Sequence, residues 1–284
     1  MHVVLTNDDG PPDVKASPYA QTFVETIHSL TNWKLSIVVP HQQRSWIGKA
    51  HIIGQNVVGK YLYTGTNAPE KQFDSRQDLP GCQEWILLDG TPATCANIAC
   101  NHLFSGSDTS VDLVISGPNY GRNTSAPYIL SSGTIGAALE AVMCGKKAIA
   151  LSYSYTVSDH PEDHVKKASE LAVKIIEHLM EQWDDSAQLY SINIPLGDDL
   201  SDETPVKYVP VLEHKWSKIY HQPDPKKLHF KWSPDFSACD ASVQAHGPGS
   251  DAYTVSSGEI SVTPLRATFQ TASDLHGTTL DLVK

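Results

Sequence analysis

Several absences narrow the reading of this sequence before any motif is considered. Its 284 residues hold only five cysteines (Cys82, Cys95, Cys100, Cys144 and Cys239), an odd number with no C-x-x-C pair and no zinc spacing. That argues against a zinc module and favours reduced, buried thiols over a disulfide framework. No stretch approaches the roughly eighteen consecutive apolar residues of a membrane span, so no bilayer crossing is predicted. No signal-type segment opens the chain: Met1 runs directly into the strand-like His2-Val3-Val4-Leu5-Thr6, and the expected address is cytoplasmic. Internal repeats and low-complexity tracts are missing as well. Positive charge is also scarce. A net charge of -11 disfavours binding to a nucleic-acid duplex, which rewards basic surfaces. A phosphate-handling protein of this charge needs a metal ion or backbone N–H groups to supply positive potential locally.

What is present reads as an α/β chain. Hydrophobic residues at 40% and charged residues at 19% give an ordinary globular balance. The length suits one large domain, or one domain with an appendage. Val3–Thr6 is a short apolar run, and a helix is predicted from Ser17 as N-cap with Pro18 at its first position. Tyr19, Phe23, Ile27 and Leu30 give that helix one apolar face. Strands are expected at Leu35–Val39, Trp85–Leu88, Leu113–Ile115, Ala148–Leu151 and Leu189–Ile194. Between them fall a helix opened by Gly90-Thr91-Pro92 and running to Phe104, a small-residue helix at Thr134–Cys144, and a long helix at Glu162–Trp183. The stretch 59–83 is polar and poorly periodic. Apolar strands separated by helices imply a Rossmann-like parallel sheet sandwiched by helices, over residues 1–200. Residues 201–284 change character and read as an extension: a β-hairpin, a strand at Ile260–Thr263 and a short terminal helix.

Ligands of open parallel sheets bind beyond the carboxyl ends of the strands, so polar clusters there are the candidates for chemistry. Asn7-Asp8-Asp9-Gly10 follows the first strand, Arg44-Ser45 the second, Ser116-Gly117-Pro118-Asn119 a later one, and Ser131-Ser132-Gly133-Thr134 opens a helix. Adjacent carboxylates repel unless a cation lies between them. Asp, Ser and Asn oxygens suit magnesium, manganese or calcium better than zinc. At Ser132-Gly133-Thr134 a glycine permits close approach, and the free N–H groups of the helix start favour an anion. A carboxylate pair and an oxyanion cradle in one chain describe metal-assisted phosphoryl chemistry.

In order along the chain, these clusters resemble the SurE family of survival-protein nucleotidases and acid phosphatases. The resemblance rests on Asn7-Asp8-Asp9-Gly10, Pro40 with Arg44-Ser45, Gly90-Thr91-Pro92 with Cys95, Ser116-Gly117 with Asn119 and Gly121, and Ser132-Gly133-Thr134 with Ala137-Ala138 and Glu140. It implies that Asp8, Asp9, Ser45 and Asn119 ligate a divalent metal, Mg²⁺ or Mn²⁺. It also implies that Ser132, Gly133 and Thr134 bind phosphate, and that Asn7 lies beside the same centre with catalytic Asp8 and Asp9. The implied reaction is hydrolysis of nucleoside monophosphates or other small phosphate esters, by a homodimer or tetramer assembled through C-terminal elements.

Against the bacterial pattern, Pro11-Pro12 alters the first loop, Trp46 stands where glycine is usual, Pro118 replaces an aliphatic residue, and Thr94 stands where aspartate is common. Arg44-Ser45-Trp46-Ile47-Gly48-Lys49-Ala50 is similar to the fungal branch. Some members there carry this domain ahead of a tubulin-tyrosine-ligase-like domain and associate with mRNA-decapping proteins. That implies decapping factors as partners and a place in P-bodies. A direct Asp8 or Asp9 nucleophile, and a non-catalytic scaffold that binds a protein partner, are the competing readings. His160 with His164 reads as a helix N-terminus. His214, His221 and His229 read as extension residues at solvent or an interface, and Asp251 as a residue that reaches the site if the extension folds back.

Overall fold

The computed structural model describes residues 1–155, 161–215, 218–270 and 279. Strand β1 (His2–Thr6) is buried along its length, and α1 (Ala20–Leu30) turns Phe23, Val24 and Ile27 inward. β2 (Lys34–Pro40), β3 (Gly59–Thr64) and β4 (Gln83–Leu88) follow. α2 (Pro92–Ile98) starts at Thr91, whose hydroxyl accepts the Thr94 N–H, with Pro92 where a missing N–H costs nothing. A π-helical turn, Ala99–Leu103, closes it. Next come β5 (Leu113–Tyr120), α3 (Ser125–Ser131), α4 (Gly133–Met143) and β6 (Lys147–Ser154). α5 (Glu162–Glu181) and β7 (Leu189–Pro195) lead into β8 (Val206–Tyr208). The chain then forms a small hairpin of β9 (Tyr220–His221) and β10 (Lys231–Trp232), α6 (Phe236–His246), α7 (Asp251–Ser256) and β11 (Ile260–Leu265).

The main sheet has nine strands in the order β3-β4-β2-β1-β5-β6-β7-β11-β8. Its six central strands, β4 to β7 in that order, are all parallel, and their arrangement is that of the doubly wound Rossmann sheet. The direction in which successive strands are added reverses between β1 and β5, so a crevice opens beyond their carboxyl ends. Alternation along β1 serves two cores. Val3 and Leu5 face α1 and α5 with Phe23, Ile27 and Ile176, whereas Val4 faces α2 and α4 with Cys95, Ile135 and Ala138. The expected α/β sandwich is the one observed.

Several local expectations need correction. The first helix begins at Ala20 rather than after Ser17. Ser17 is spent elsewhere: its hydroxyl donates to the Gly10 carbonyl at 3.2 Å, so it closes the loop after β1 instead of capping a helix. The polar stretch 59–83 contains β3, an antiparallel edge strand on β4. α3 stands where no helix was expected. The extension does contain a hairpin, β9 with β10, but also α6 and α7, while β11 pairs antiparallel with β7 and β8 runs parallel to β11 in the main sheet. The terminal helix falls outside the described residues. Among the described residues no helix is long and apolar enough to cross a membrane.

Candidate active site

The end of β1 delivers the acidic loop to the crevice. Asn7 shapes it: its amide donates to the Gly10 carbonyl at 2.8 Å and accepts the Gly10 N–H at 2.9 Å. Gly10 has φ of +89°, a conformation a Cβ would strain. The Arg44 N–H donates to the Asp8 carbonyl at 2.6 Å and so draws the loop after β2 alongside. β5 reaches the crevice by passing Gly117, where an added Cβ would sit 2.1 Å from the Leu151 carbonyl. The register of β5 on β6 shifts between Ser116 and Asn119, which brings Asn119 to the cavity wall.

Asp8 and Asp9 are each about 2% exposed. Thr134 on α4 donates its hydroxyl to Asp8 Oδ1 at 2.5 Å and lies 3.1 Å from Asn119 Oδ1. The backbone N–H groups of Gly133 and Thr134 also favour the Asp8 anion, so the positive start of α4 is aimed at this carboxylate. Gly133 is required for that contact, since a Cβ there would lie 2.8 Å from the Asp8 Cβ. Asp9 Oδ2 accepts the Tyr120 N–H at 2.7 Å, and Asp9 Oδ1 the Gln43 amide at 3.4 Å. Even with these donors, burial pushes Asp8 up from 3.8 to about 6. Burial, with repulsion from Asp8 second, pushes Asp9 well up too.

A cavity of about 540 Å³ opens over this corner. Asp8, Ser45, Asn119 and Ser132 line it, together with Tyr120, Arg122, Tyr128, Ser131, Tyr155, Phe236 and Asp240. Of the sequence-predicted site residues, four therefore share the cavity wall. Asp9, Gly133 and Thr134 lie just behind it, and Asn7 is the loop's internal brace. Trp46 lines the cavity with φ of +63° and is not a core residue. Asp251 does not reach the site. Its carboxylate accepts the N–H groups of Ser125, Leu212 and Ala252, tying α7 to the start of α3. No histidine lines the cavity among the described residues. His164 pairs with Asp198 at 3.1 Å, and His160 lies outside the described residues.

Sequence reasoning missed Arg122, Tyr128, Tyr155, Phe236 and Asp240. Arg122 follows Gly121 directly, a basic residue beyond a strand end, and that placement was a usable signal. Phe236 and Asp240 reach the site only through the fold-back of α6. Among the described residues no group of three or more His, Cys, Asp and Glu side chains could hold a metal. A cation here would rest on the Asp8–Asp9 pair and on the neutral oxygens of Ser45 and Asn119. That hard donor set fits Mg²⁺ or Mn²⁺, and two buried carboxylates at raised pKa answer to a positive charge.

The model of the family described as "Survival protein SurE" matches residues 3–218. The chain belongs to the SurE family. A relative from Saccharomyces cerevisiae named "Probable tubulin--tyrosine ligase PBY1" is 38% identical over 98% of this chain. The match covers 42% of that protein, so the chain spans about two-fifths of its length. A "5'-nucleotidase SurE" of Methanocella arvoryzae is 29% identical over 93% of this chain and 91% of its own length. The crystal structure of the SurE protein from Aquifex aeolicus superposes with a TM-score of 0.69, covering 95% of each chain at 21% identity, and so supports the SurE fold.

Proposed function

We propose that this SurE-family chain is a divalent-metal-dependent phosphomonoesterase that hydrolyses nucleoside monophosphates or similarly small phosphate esters. The observation that carries the reading is the setting of Asp8. It is a buried carboxylate on the wall of the cavity, beside Asp9, with its pKa raised to about 6 and the start of α4 aimed at it. Bacterial and archaeal relatives named 5'-nucleotidases match more than nine-tenths of this chain and support the reaction class.

Asp8, Asp9, Ser45 and Asn119 would hold the cation. Bound there, it supplies Lewis-acid polarisation of the ester and readies a water for attack. Thr134 fixes the Asp8 carboxylate and sits against Asn119, so both donors are oriented before substrate arrives. Ser132 lines the cavity beside them; its hydroxyl oxygen accepts the Ile135 N–H at 3.1 Å, which leaves its own proton to donate to a phosphoryl oxygen. Both oxygens of Asp9 already accept hydrogen bonds, which favours water over Asp9 as nucleophile. Transfer of solvent oxygen-18 into a carboxylate would mark direct attack instead.

The test is phosphate release from a panel of nucleoside monophosphates with Mg²⁺, Mn²⁺ or a chelator. Release that needs a cation and vanishes in Asp8→Asn is expected. Flat traces from folded wild-type protein under all cations would overturn the enzyme reading and favour a partner-binding scaffold. Assembly through the extension is a further part of the proposal. Its support is the exposure of three large apolar side chains, Tyr220, Leu228 and Phe230, along the one hairpin segment.

A further inference from the structure

The cavity has an outer half that the phosphoryl chemistry does not use. Trp46, Tyr128 and Phe236 line it, and Trp232 of β10 packs edge-on against Trp46 and Phe236. The Trp46 and Trp232 rings meet edge-on at 5.3 Å, Tyr128 and Phe236 stack at 6.3 Å, and Trp46 and Phe236 remain 37% and 42% exposed. Half-exposed rings gathered at a cavity mouth are a stacking platform for a planar ligand. Arg122 is the one cationic side chain among the described residues that line the cavity. Its guanidinium lies 5.4 Å over the Tyr128 ring and is paired with Asp240 of α6, whose carboxylate lines the same wall. The cation that would attract an anion here is thus already neutralised.

Resting on the phosphomonoesterase reading, we propose that this outer half is a leaving-group subsite for an uncharged planar ring. Within it, Asp240 is the specificity-determining residue: by holding Arg122, it excludes leaving groups that carry a second anionic group. Phe236 stacks on the ring. Arg122, stacked on Tyr128, contributes a planar face but no net charge. The β10–α6 extension supplies Phe236 and Asp240 to this wall, with Trp232 behind them, so the extension takes part in selecting the substrate while the strand ends of the core perform the reaction.

The test compares kcat/KM for uridine 5'-monophosphate, uridine 3',5'-bisphosphate and glycerol 2-phosphate, with uridine binding followed by calorimetry. Asp240→Asn should raise the bisphosphate-to-monophosphate ratio about tenfold, since it removes one negative charge and frees one positive charge at close range. Adding Arg122→Gln to that variant should return the ratio to the wild-type value. Phe236→Ala should lower the ratio of uridine 5'-monophosphate to glycerol 2-phosphate, and weaken uridine binding, by about tenfold each, as loss of one stacking face predicts. Phe236→Leu, which keeps the packing volume, should show the same direction if the alanine variant unfolds. Ratios that stay within twofold of wild type, or a gain that persists in the double variant, would overturn the subsite. If wild type releases phosphate from no ester, the enzyme reading fails alone, and uridine binding decides this one: binding that weakens in Phe236→Leu supports it, and no binding overturns it.

Discussion

Asp8 and Thr134 stand 126 positions apart and share a hydrogen bond of 2.5 Å. The contact is between a carboxylate that would ligate the cation and a buried hydroxyl that orients it, so Thr134 is a positioning residue. Removing the hydroxyl in Thr134→Val should lower kcat/KM by roughly 10–100-fold, the usual cost of losing an outer partner of a metal ligand. The cation concentration needed for half-maximal rate should rise with it. Thr134→Ser, which keeps the oxygen, should restore most of the loss. A valine variant with unchanged cation dependence would make Thr134 a packing residue only. Asp8, Ser45, Asn119 and Ser132 were legible as site residues because each lies at or just beyond a strand end, or starts a helix, in a recognisable motif. Thr134 was legible as a member of the site but its job was not. The sequence pointed it at phosphate, whereas its hydroxyl serves Asp8. Local pattern gives the position of a side chain on its element; which neighbour it meets is decided by how elements stack.

The same limit operates on whole elements. β1, β2, β4, β6 and β7 are apolar runs buried on both faces, and α5 carries Val165, Ala168, Ala172 and Leu179 on one buried stripe, so periodicity alone identifies them. β3 is an edge strand with a single buried residue, Tyr63, and its weak alternation hides it. α3 is seven residues long with Pro127 inside, and α6 buries only Cys239 and Val243, so neither shows a strong helical period. Helix α4 shows where propensity and packing oppose each other. Gly136 lies mid-helix, where alanine would ordinarily stabilise by about 1 kcal/mol. An added Cβ there would lie 2.4 Å from the Gly48 carbonyl, which belongs to the loop that carries Ser45 and Trp46. That loop is pinned to the helix region by the Gly48 N–H on the Ser131 carbonyl at 2.8 Å and by Lys49 on Glu140 at 2.5 Å. Gly136→Ala should therefore destabilise by about 1–3 kcal/mol in a denaturant titration. It should also raise KM, because the loop must shift. A stability gain would mean that the loop yields freely, and the helix would then not be what holds Ser45 in place.

At the scale of the molecule, the site is a place where folding works against two charges. Asp8 has a folded pKa of about 6 against an ordinary value of 3.8, and Asp9 shifts in the same direction. The folded state thus holds the extra protons, so the pair's contribution to stability is fully present below about pH 4 and is lost as pH rises through about 6. For Asp8 the loss is on the order of 3 kcal/mol. Other carboxylates act oppositely: Asp202, held down to about 2 by Lys167 and Lys174, contributes stability above pH 4 that is lost in stronger acid. The total pH profile therefore mixes both signs, and the pair is isolated by taking differences. Mg²⁺ or Mn²⁺ favours the ionised carboxylates and competes with protons for them. Its stabilising effect should accordingly be small at pH 4.5 and large at pH 7, read as the rise in Tm over a chelated sample. Asp8→Asn removes one buried charge, so at pH 7 without cation it should melt several degrees above wild type while losing most of the cation-induced rise. Equal cation-induced shifts at both pH values, or an asparagine variant less stable than chelated wild type at pH 7, would mean that the carboxylates are already compensated by the protein. The Thr134 hydroxyl and the start of α4 would then suffice to hold Asp8 as an anion, and the need for a cation at this corner would have to be argued from catalysis alone.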